Sequence, residues 1–324
     1  MTGSPAYAGN DTLYISATPN VIASLHTAMP DVATSTFVTS ADGLKLHARC
    51  HGRRVEGIPP VICLPGLTHT AAHFEPLATA LANDPAHPRQ VIALDYRGRG
   101  LSDYDPHPAN YNVQTELADV LAVTEALACQ PAVFVGTSRG GILSMLLATV
   151  RPEIMAGAVL NDIGPVIELE GLIHIKSYVG KLPRLQSFEQ GAAILRRLFE
   201  TQFPKLTPED WLTAARRTFK QEGDRLVPTY DVALAKTLES VDAEHPLPPL
   251  WDAFDALAGM PVMAIRGGHS RLLSAETLQA MAARHPALEI LEVPDQGHPP
   301  LLAETAVIAR IADFIDRCAE RARP

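Results

Sequence analysis

The feature that most constrains this chain is a series of short apolar runs that alternate with stretches of helical periodicity. Each run has four to six residues and no polar alternation, as expected of parallel strands buried on both faces. The runs are Val61–Leu64, Val91–Leu94, Ala132–Val135, Gly157–Leu160, Val262–Ile265 and Leu288–Val293. The helical stretches are Ala71–Ala82, Val113–Ala128, Ser138–Val150, Ala275–Ala283 and Glu304–Cys318. This alternation predicts a doubly wound, mostly parallel α/β sheet with helices on both faces.

The start of the chain does not follow this alternation. Residues 1–34 are rich in Ser, Thr, Ala, Pro and Gly, which predicts a surface extension ordered at most around Leu13–Ile15 and Val21–Leu25. Thr36–Ser40 and Leu44–Cys50 then follow as a predicted hairpin, because the Asp-Gly pair between them tolerates the positive φ angles of tight hairpin turns.

A second interruption lies between the sixth and seventh strands of the predicted sheet. Residues 164–259 contain no buried-strand run, but they hold amphipathic pieces such as Glu189–Leu198 and Glu209–Thr218 and several prolines. We therefore predict a mostly helical insertion at 164–259, within a core formed by residues 35–163 and 260–324.

The composition limits the classes of partner. The 27 Lys and Arg against 36 Asp and Glu give a net charge of −9, which argues against a nucleic acid or an anionic membrane. No apolar run reaches the ~18 residues of a membrane helix, and we see no signal peptide. The four cysteines are scattered without a CxxC pair, so we expect a cytoplasmic protein. The sequence gives no indication of oligomeric state.

The strongest chemical signal is a G-x-S-x-G motif, Gly136-Thr-Ser138-Arg-Gly140, between a buried strand and a helix. A serine on such a strained turn needs small neighbours at both sides so that the chain can bend and present Oγ. The helix N-terminus behind it favours developing negative charge. This context predicts Ser138 as a nucleophile.

A serine hydroxyl needs a base to attack, and His298 is the histidine best placed to serve. It follows the last predicted strand and precedes the final helix. This position puts it at the carboxyl edge of the sheet, where doubly wound folds bind their ligands. We therefore predict His298 as the general base.

With these motifs in place, the sequence resembles the α/β-hydrolase superfamily from about Phe37 to Phe314, and more closely its bacterial, lid-bearing, esterase-like members. The resemblance rests on six segments, which are Leu64–Thr68, Asp95–Asp103, Gly136–Gly141, Leu160–Pro165, Ile265–Arg271 and Gln296–His298. It implies a helical cap over Ser138, formed by residues 164–259, and carboxylic ester chemistry.

The resemblance also implies an oxyanion hole made of two backbone N–H groups. One belongs to Arg139, directly after the nucleophile, and the other to Leu67, which follows Gly66 in the loop after the third strand. The HGGG form of that loop is absent. His69 comes shortly after the oxyanion loop, so we expect His69 and Gly66 to line the substrate pocket.

Two other patterns have a structural interpretation. Asp95–Gly100 is basic and glycine-containing but lacks the spacings of phosphate-binding loops, so we interpret it as a structural loop joined by Asp–Arg pairs. His69 and His73 have the spacing of metal ligands on a helix, but no third ligand is evident. We therefore expect neither a metal nor a cofactor.

The acid of the triad is the difficulty. In most relatives an Asp follows the penultimate strand in a segment like R-G-x-x-S-D-L-L-S, and here Arg271 takes its place. An arginine cannot accept a hydrogen bond from His298. Two interpretations stay open: the acid is Asp162 after the sixth strand, as in some superfamily members, or the triad is incomplete. Asp295 is a weaker third candidate, because it is expected to point to solvent.

The leading hypothesis is a serine hydrolase that cleaves carboxylic esters or lactones of small molecules through an acyl-enzyme. The same machinery can serve an acyl transferase or a C–C bond hydrolase. The alternative from another class is a ligand-binding relative with little or no catalysis, motivated by Arg271.

Overall fold

The computed structural model describes residues 33–242, 244 and 247–321. The predicted N-terminal extension, with its apolar pieces Leu13–Ile15 and Val21–Leu25, therefore lies outside the described residues apart from its last two positions.

Ten strands and nine α-helices lie in the described part of the chain. The strands are β1 Thr34–Thr39, β2 Lys45–His51, β3 Val61–Leu64, β4 Val91–Leu94, β5 Ala132–Thr137, β6 Met155–Asn161, β7 Phe219–Glu222, β8 Arg225–Pro228, β9 Val262–Gly267 and β10 Glu289–Val293. The helices are α1 Glu75–Ala82, α2 Val113–Ala126, α3 Arg139–Val150, α4 Leu169–Tyr178, α5 Phe188–Phe199, α6 Pro208–Thr218, α7 Trp251–Asp255, α8 Ala275–Arg284 and α9 Thr305–Arg321.

Eight of the strands form one sheet in the order β1-β2-β4-β3-β5-β6-β9-β10. All neighbouring pairs from β4 to β10 along that order are parallel, and the two antiparallel pairs, β1–β2 and β2–β4, both involve β2. The predicted doubly wound, mostly parallel sheet is confirmed.

Alternate residues of the inner strands enter two separate cores, one on each face of the sheet. On one face Ile62 and Phe134 pack with apolar residues of α2, α3 and α8. On the other face Val61 and Val133 pack with residues of α1 and α9. Burial on both faces explains why these strands are continuous apolar runs.

The helix predicted over Ala71–Ala82 is divided into two pieces. A short 3-10 helix covers Ala71–Phe74, and α1 begins at Glu75. Pro76 lies in the first turn of α1 and has no N–H to donate to the preceding turn, so the regular helix starts there.

The insertion between β6 and β9 contains the helices α4 to α7 and the hairpin of β7 and β8, and it packs in two groups. Leu172 of α4 and Phe254 of α7 are buried in the core on one face of the sheet. Residues of α5, α6 and the hairpin of β7 and β8 instead form a small core of their own. This hairpin was not predicted from the sequence. Gly223 at its turn has a positive φ of 61°, which suits glycine.

Among the described residues, no helix combines the length and the apolar character that crossing a membrane requires. All four cysteines are free. The cytoplasmic location stays a prediction.

Candidate active site

Ser138 lies at the sharp turn from β5 to α3, as the motif predicts. Its backbone adopts φ 50° and ψ −111°, a conformation that costs free energy for a residue with a side chain. The Ser138 N–H donates to the carbonyl of Asn161 at 3.0 Å, which ties the turn to the neighbouring strand β6. The strained turn is thus held by the sheet on one side and by α3 on the other.

The motif glycines are required by close approach of the backbone. A Cβ at Gly136 would lie 2.4 Å from the carbonyl oxygen of Gly140, and a Cβ at Gly140 would lie 2.0 Å from the carbonyl oxygen of Leu64. Both distances are far shorter than van der Waals contact, so any larger residue would open the turn.

His298 lies in the loop between β10 and α9 and faces Ser138. Its Nε2 is 3.0 Å from Ser138 Oγ. Its backbone N–H donates to Oε1 of Gln202, at 3.1 Å, in the loop after α5. The insertion therefore holds the loop that carries His298.

Asp162 follows β6 directly and completes the contact with His298. Its Oδ2 is 2.7 Å from His298 Nδ1. Its Oδ1 accepts the N–H of Gly267 at 2.8 Å, and Ser270 Oγ donates to Oδ2 at 2.6 Å. The side chain is fully buried, and its φ of 56° turns the backbone so that the carboxylate meets the imidazole. A carboxylate only accepts hydrogen bonds, so His298 Nδ1 carries the proton and Nε2 is free to accept one.

The adjacency of β6 and β9 explains how the carboxylate reaches His298 from residue 162. The two strands are parallel neighbours, and Asn161 is in register with Ile265. Their ends meet at one edge of the sheet, so an acid after either strand can contact His298. Ser270, from the segment that holds the acid in most relatives, here donates to Asp162.

Arg271 and Asp295 lie away from this contact. The Arg271 side chain is 45% exposed and forms an ion pair with Glu170 at 3.3 Å. Asp295 pairs with Lys205 at the surface. Neither side chain forms a hydrogen bond or an ion pair with His298.

The two predicted oxyanion residues lie beside Ser138. Arg139 is the first residue of α3, where a backbone N–H has no partner within the helix. In the described part of the chain, neither the Arg139 nor the Leu67 N–H donates to another residue. A Cβ built at Gly66 would lie 3.7 Å from Ser138 Cβ, so the Gly66 loop passes close to the serine.

A buried ionic network joins Leu67 to Arg139. Arg99 Nε donates to the carbonyl of Leu67 at 2.9 Å. Arg99 Nη1 forms an ion pair with Glu116 Oε1 at 2.7 Å, and Arg139 Nε donates to Glu116 Oε2 at 2.7 Å. Burial raises the pKa of Glu116, but the two arginines outweigh it, and the pKa lies below its ordinary value. The network ties the loops after β3 and β4 to the first turns of α2 and α3.

The neighbouring Arg97 belongs to a separate network. It forms two hydrogen bonds with Asp119 at 2.6 and 2.7 Å, and it pairs with Asp42 and Asp105. The basic loop after β4 is thus a structural element joined by acid–arginine pairs, as interpreted from its sequence.

A cavity of about 230 Å³ lies between His298 and the insertion. Its apolar wall consists mainly of side chains from α4, α5 and α6 and the loop between the last two, which are Tyr178, Leu195, Phe199, Phe203, Leu206, Trp211 and Ala214. His69, His73 and Arg217 supply polar groups. Neither Gly66 nor Ser138 is among the lining residues of this cavity, and the contact of Gly66 with a substrate stays a prediction.

His69 and His73 stack against each other instead of converging on one point. Their ring centroids are 4.1 Å apart, with planes inclined by 10°. Burial, together with a smaller contribution from the charge of His298, lowers the pKa of His69 to about 4. Burial likewise lowers the pKa of His73 well below its ordinary value. Within the described ranges, no group of three or more His, Cys, Asp or Glu is arranged to hold a metal ion.

Four residues that contact or surround the site were not predicted from the sequence: Gln202, Ser270, Glu116 and Arg217. Glu116 had a detectable signal, because it lies on the same helical face as Val120 and Val123, where an acid requires a buried partner. Gln202 and Arg217 belong to no motif, since only the packing of the insertion brings them to the site.

Comparisons with known proteins agree with the fold. Residues 61–311 match the model of the alpha/beta hydrolase family. The chain is 34% identical to a 3-hydroxybutyrate-oligomer hydrolase from Cupriavidus necator, over 78% of this chain and 87% of that protein. It is 27% identical to a 2-(acetamidomethylene)succinate hydrolase from Mesorhizobium japonicum, over 80% and 88%. A solved α/β hydrolase from Novosphingobium aromaticivorans is 37% identical, with a TM-score of 0.82 over 88% of this chain and 98% of that structure. The chain therefore belongs to the α/β-hydrolase family.

Proposed function

We propose that this chain is a serine hydrolase that cleaves carboxylic esters through an acyl-enzyme. Ser138 acts as nucleophile, His298 as general base and Asp162 as the acid that orients it. The observation that carries the proposal is the series of hydrogen-bonding distances from Ser138 Oγ to His298 Nε2, 3.0 Å, and from His298 Nδ1 to Asp162 Oδ2, 2.7 Å. This geometry supports a complete triad over an incomplete one.

The acylation step follows from these positions. His298 Nε2 takes the proton of Ser138 as Oγ attacks the ester carbonyl, and the imidazolium is stabilised by the Asp162 carboxylate. The carbonyl oxygen becomes an oxyanion, which the free N–H groups of Leu67 and Arg139 would stabilise. The intermediate collapses when His298 gives its proton to the leaving alcohol, and the acyl group stays on Ser138.

Deacylation repeats these steps with water as the nucleophile. His298 removes a proton from water, the hydroxide attacks the acyl carbonyl, and the same two N–H groups receive the charge. The proton then returns from His298 to Ser138 Oγ, and the carboxylic acid is released. The products are one acid and one alcohol, and the enzyme is regenerated.

The Cupriavidus necator relative supports the choice of esters. That protein hydrolyses oligomers of 3-hydroxybutyrate, and hydroxy acids joined through their hydroxyl and carboxyl groups are carboxylic esters. We extend this bond type, but not that substrate, to the present chain.

We also propose that the insertion, residues 164–259, acts as the cap of the active site. Its side chains Phe199, Phe203 and Trp211 line the cavity that His298 closes on the other side. Ligand sites are largely apolar with a few polar groups, so a medium-sized, mainly apolar acyl or alcohol group suits this cavity.

The proposal is tested with a p-nitrophenyl ester of a short acid and a fluorophosphonate probe, each applied to the wild-type protein and to Ser138→Ala. We expect a burst of p-nitrophenol and covalent labelling in the wild type. Ser138→Ala should lose labelling and about 10⁴-fold or more in turnover, because the nucleophile is missing.

Ser144→Ala provides a matched control, because Ser144 is a buried serine of α3 whose Oγ donates only to the backbone of Gly140. It should keep both activities. Hydrolysis or labelling that persists in Ser138→Ala would contradict the assignment of the nucleophile. The absence of both in the wild type would favour a ligand-binding relative.

A further inference from the structure

Arg217 is the cationic residue of the cavity beside the proposed triad. It follows Trp211 by six residues, near the end of α6. It lines the large cavity together with His298 and also a small adjoining void of about 40 Å³, which reaches Thr137 and His69. The side chain is half-buried, and burial lowers the pKa of its guanidinium.

Within the described part of the chain, the Arg217 guanidinium forms no ion pair and no hydrogen bond. The acid whose charge acts on it is Glu75, and Glu75 is already paired with Arg49 at 2.8 Å. The acid of the cavity wall, Asp210, accepts hydrogen bonds from the N–H and the hydroxyl of Thr207 at the start of α6. Neither acid neutralises Arg217 by direct contact.

The other titratable groups that face Arg217 do not neutralise it either. His73 is half-buried, and desolvation together with the positive charge of Arg217 lowers its pKa well below the ordinary value, so the ring stays neutral. His69 stacks on His73 and is neutral above about pH 4. Apart from Asp210, which is bound to Thr207, the cavity therefore surrounds the half-buried guanidinium with apolar and neutral side chains, so an anion that pairs with it offsets the cost of its burial.

We propose that Arg217 binds a carboxylate of the substrate, so that the preferred esters carry a free carboxylate at one end. This inference rests on the proposed function, since it concerns the same cavity. The planar guanidinium can donate two parallel hydrogen bonds to a carboxylate, an arrangement with both strength and directionality. Apolar contact with Trp211 and Phe203 would fix the chain between the carboxylate and the ester.

The test uses esters that differ only in a terminal methyl or carboxylate group. For the acyl side, the pair is p-nitrophenyl pentanoate and the mono-p-nitrophenyl ester of glutarate. For the alcohol side, the pair is sec-butyl butyrate and the butyryl ester of 3-hydroxybutyrate, and their hydrolysis is measured by the release of protons. We expect the wild type to favour the carboxylate in one pair by about 10- to 100-fold in kcat/KM, mainly through KM.

The variants are Arg217→Gln, which removes the charge, and Arg217→Lys, which keeps the charge but cannot donate two parallel hydrogen bonds. Arg216→Gln is a matched control. Arg216 is the exposed neighbour on the same helix. The measured quantity is the ratio of kcat/KM within each pair, so a general loss of folded protein cancels. Arg217→Gln should bring the ratio close to one, Arg217→Lys should keep part of it, and Arg216→Gln should keep all of it.

The inference is overturned if the wild type favours the carboxylate in neither pair, or if Arg217→Gln keeps the preference. Either result leaves ester hydrolysis itself intact. Calorimetric titration of Ser138→Ala with the glutarate monoester tests carboxylate binding independently of ester hydrolysis. Binding that is lost in Ser138→Ala/Arg217→Gln supports the carboxylate site even if the wild type hydrolyses no ester, and binding that survives there contradicts it.

Discussion

Two regions face each other across the cavity: the sheet edge, with Ser138, Asp162 and His298, and the insertion wall, the cavity-lining side chains of α4 to α6. They differ in whether their charged side chains are paired within the protein. At the sheet edge every ionic side chain near Ser138 is paired within the protein: Asp162 with His298, and Glu116 with Arg99 and Arg139. On the insertion wall Arg217 has no such partner in the described ranges, and most of its neighbours are apolar.

This difference suggests a division of roles. Charges that are compensated internally can fix geometry, because they do not reorganise when a ligand arrives. A charge that the protein leaves uncompensated discriminates among ligands, since the correct anion removes a cost that the wrong ligand leaves in place. We infer that the sheet edge determines the chemistry and the insertion wall the selectivity.

The largest expected effect concerns the acid at the sheet edge. Asp162→Asn should lower kcat by about 10³- to 10⁴-fold, because the amide cannot stabilise the His298 imidazolium and favours the wrong tautomer. Arg271→Ala should stay close to the wild type, because Arg271 pairs only with the exposed Glu170. The measurement is steady-state hydrolysis of a p-nitrophenyl ester.

Full activity in Asp162→Asn would contradict the catalytic role of the sheet edge, because the paired acid would then have no part in turnover. A strong gain in Arg271→Asp would identify the end of β9 as the better place for the acid, and would mark the natural triad as degraded.

A smaller effect is expected from the network that joins the oxyanion residues. Glu116→Gln should lower kcat by about 10- to 100-fold with little change in KM, because Leu67 and Arg139 lose the ionic link that fixes their N–H groups. It should also cost about 3–5 kcal/mol of stability, since buried arginines lose a counter-charge.

Asp119→Asn is the matched control for this loss of stability. Asp119 is buried and doubly hydrogen-bonded to Arg97, but it contacts neither oxyanion residue. It should be destabilised to a similar degree in urea and yet keep kcat. An equal loss of kcat in both variants would reduce the role of Glu116 to general stability.

The lowered pKa of His69 predicts a pH effect on stability. Between pH 6.5 and 4 the unfolded chain binds a proton at His69 and the folded protein does not, so the free energy of unfolding falls as the pH falls. At pH 5 the free energy of unfolding should be lower by about 1–2 kcal/mol. A histidine enclosed on all sides would give a larger loss, but the His69 ring borders a cavity.

Urea unfolding at pH 7 and pH 5 measures this effect in the wild type and in His69→Gln, which cannot take up the proton. The wild type should lose more stability than the variant over this interval. Equal losses would mean that His69 is protonated as readily in the folded protein as in the unfolded chain.

The smallest effect belongs to the apolar wall. Trp211→Leu should enlarge the cavity and shift the preferred acyl chain to longer acids by about 2- to 5-fold in kcat/KM, as far as hydrophobic contacts usually discriminate. Phe219→Leu is a control in the same small core that does not line the cavity. If the preferred acyl chain length in a series of p-nitrophenyl esters shifts equally in both variants, the insertion wall does not select substrates by chain length.

Much of the sheet edge could be predicted from the sequence, because its signals are local. A strand, a turn with two glycines and a helix specify the environment of Ser138 within ten residues, and His298 follows the last strand in the same way. The strand and helix bounds differ from the predictions by a few residues, as at α1, where Pro76 determines the start of the regular helix.

The insertion wall could not be predicted to this degree. Its helices α5 and α6 were evident from their amphipathic spacing, but spacing does not say which of two polar residues on α6, Arg216 or Arg217, faces the solvent and which the cavity. The hairpin of β7 and β8 is short and largely exposed, so it lacks the apolar pattern by which a strand is recognised.

The sequence by itself determined the fold class and the pair of Ser138 and His298, because strand periodicity and the turn chemistry of the nucleophile are properties of short segments. It left open whether Asp162 or no residue supplies the acid. Only the tertiary structure brought the end of β6 to His298 and turned Arg271 outward, because side chains far apart in sequence meet according to strand order. The same packing placed Arg217 without a counter-charge beside them.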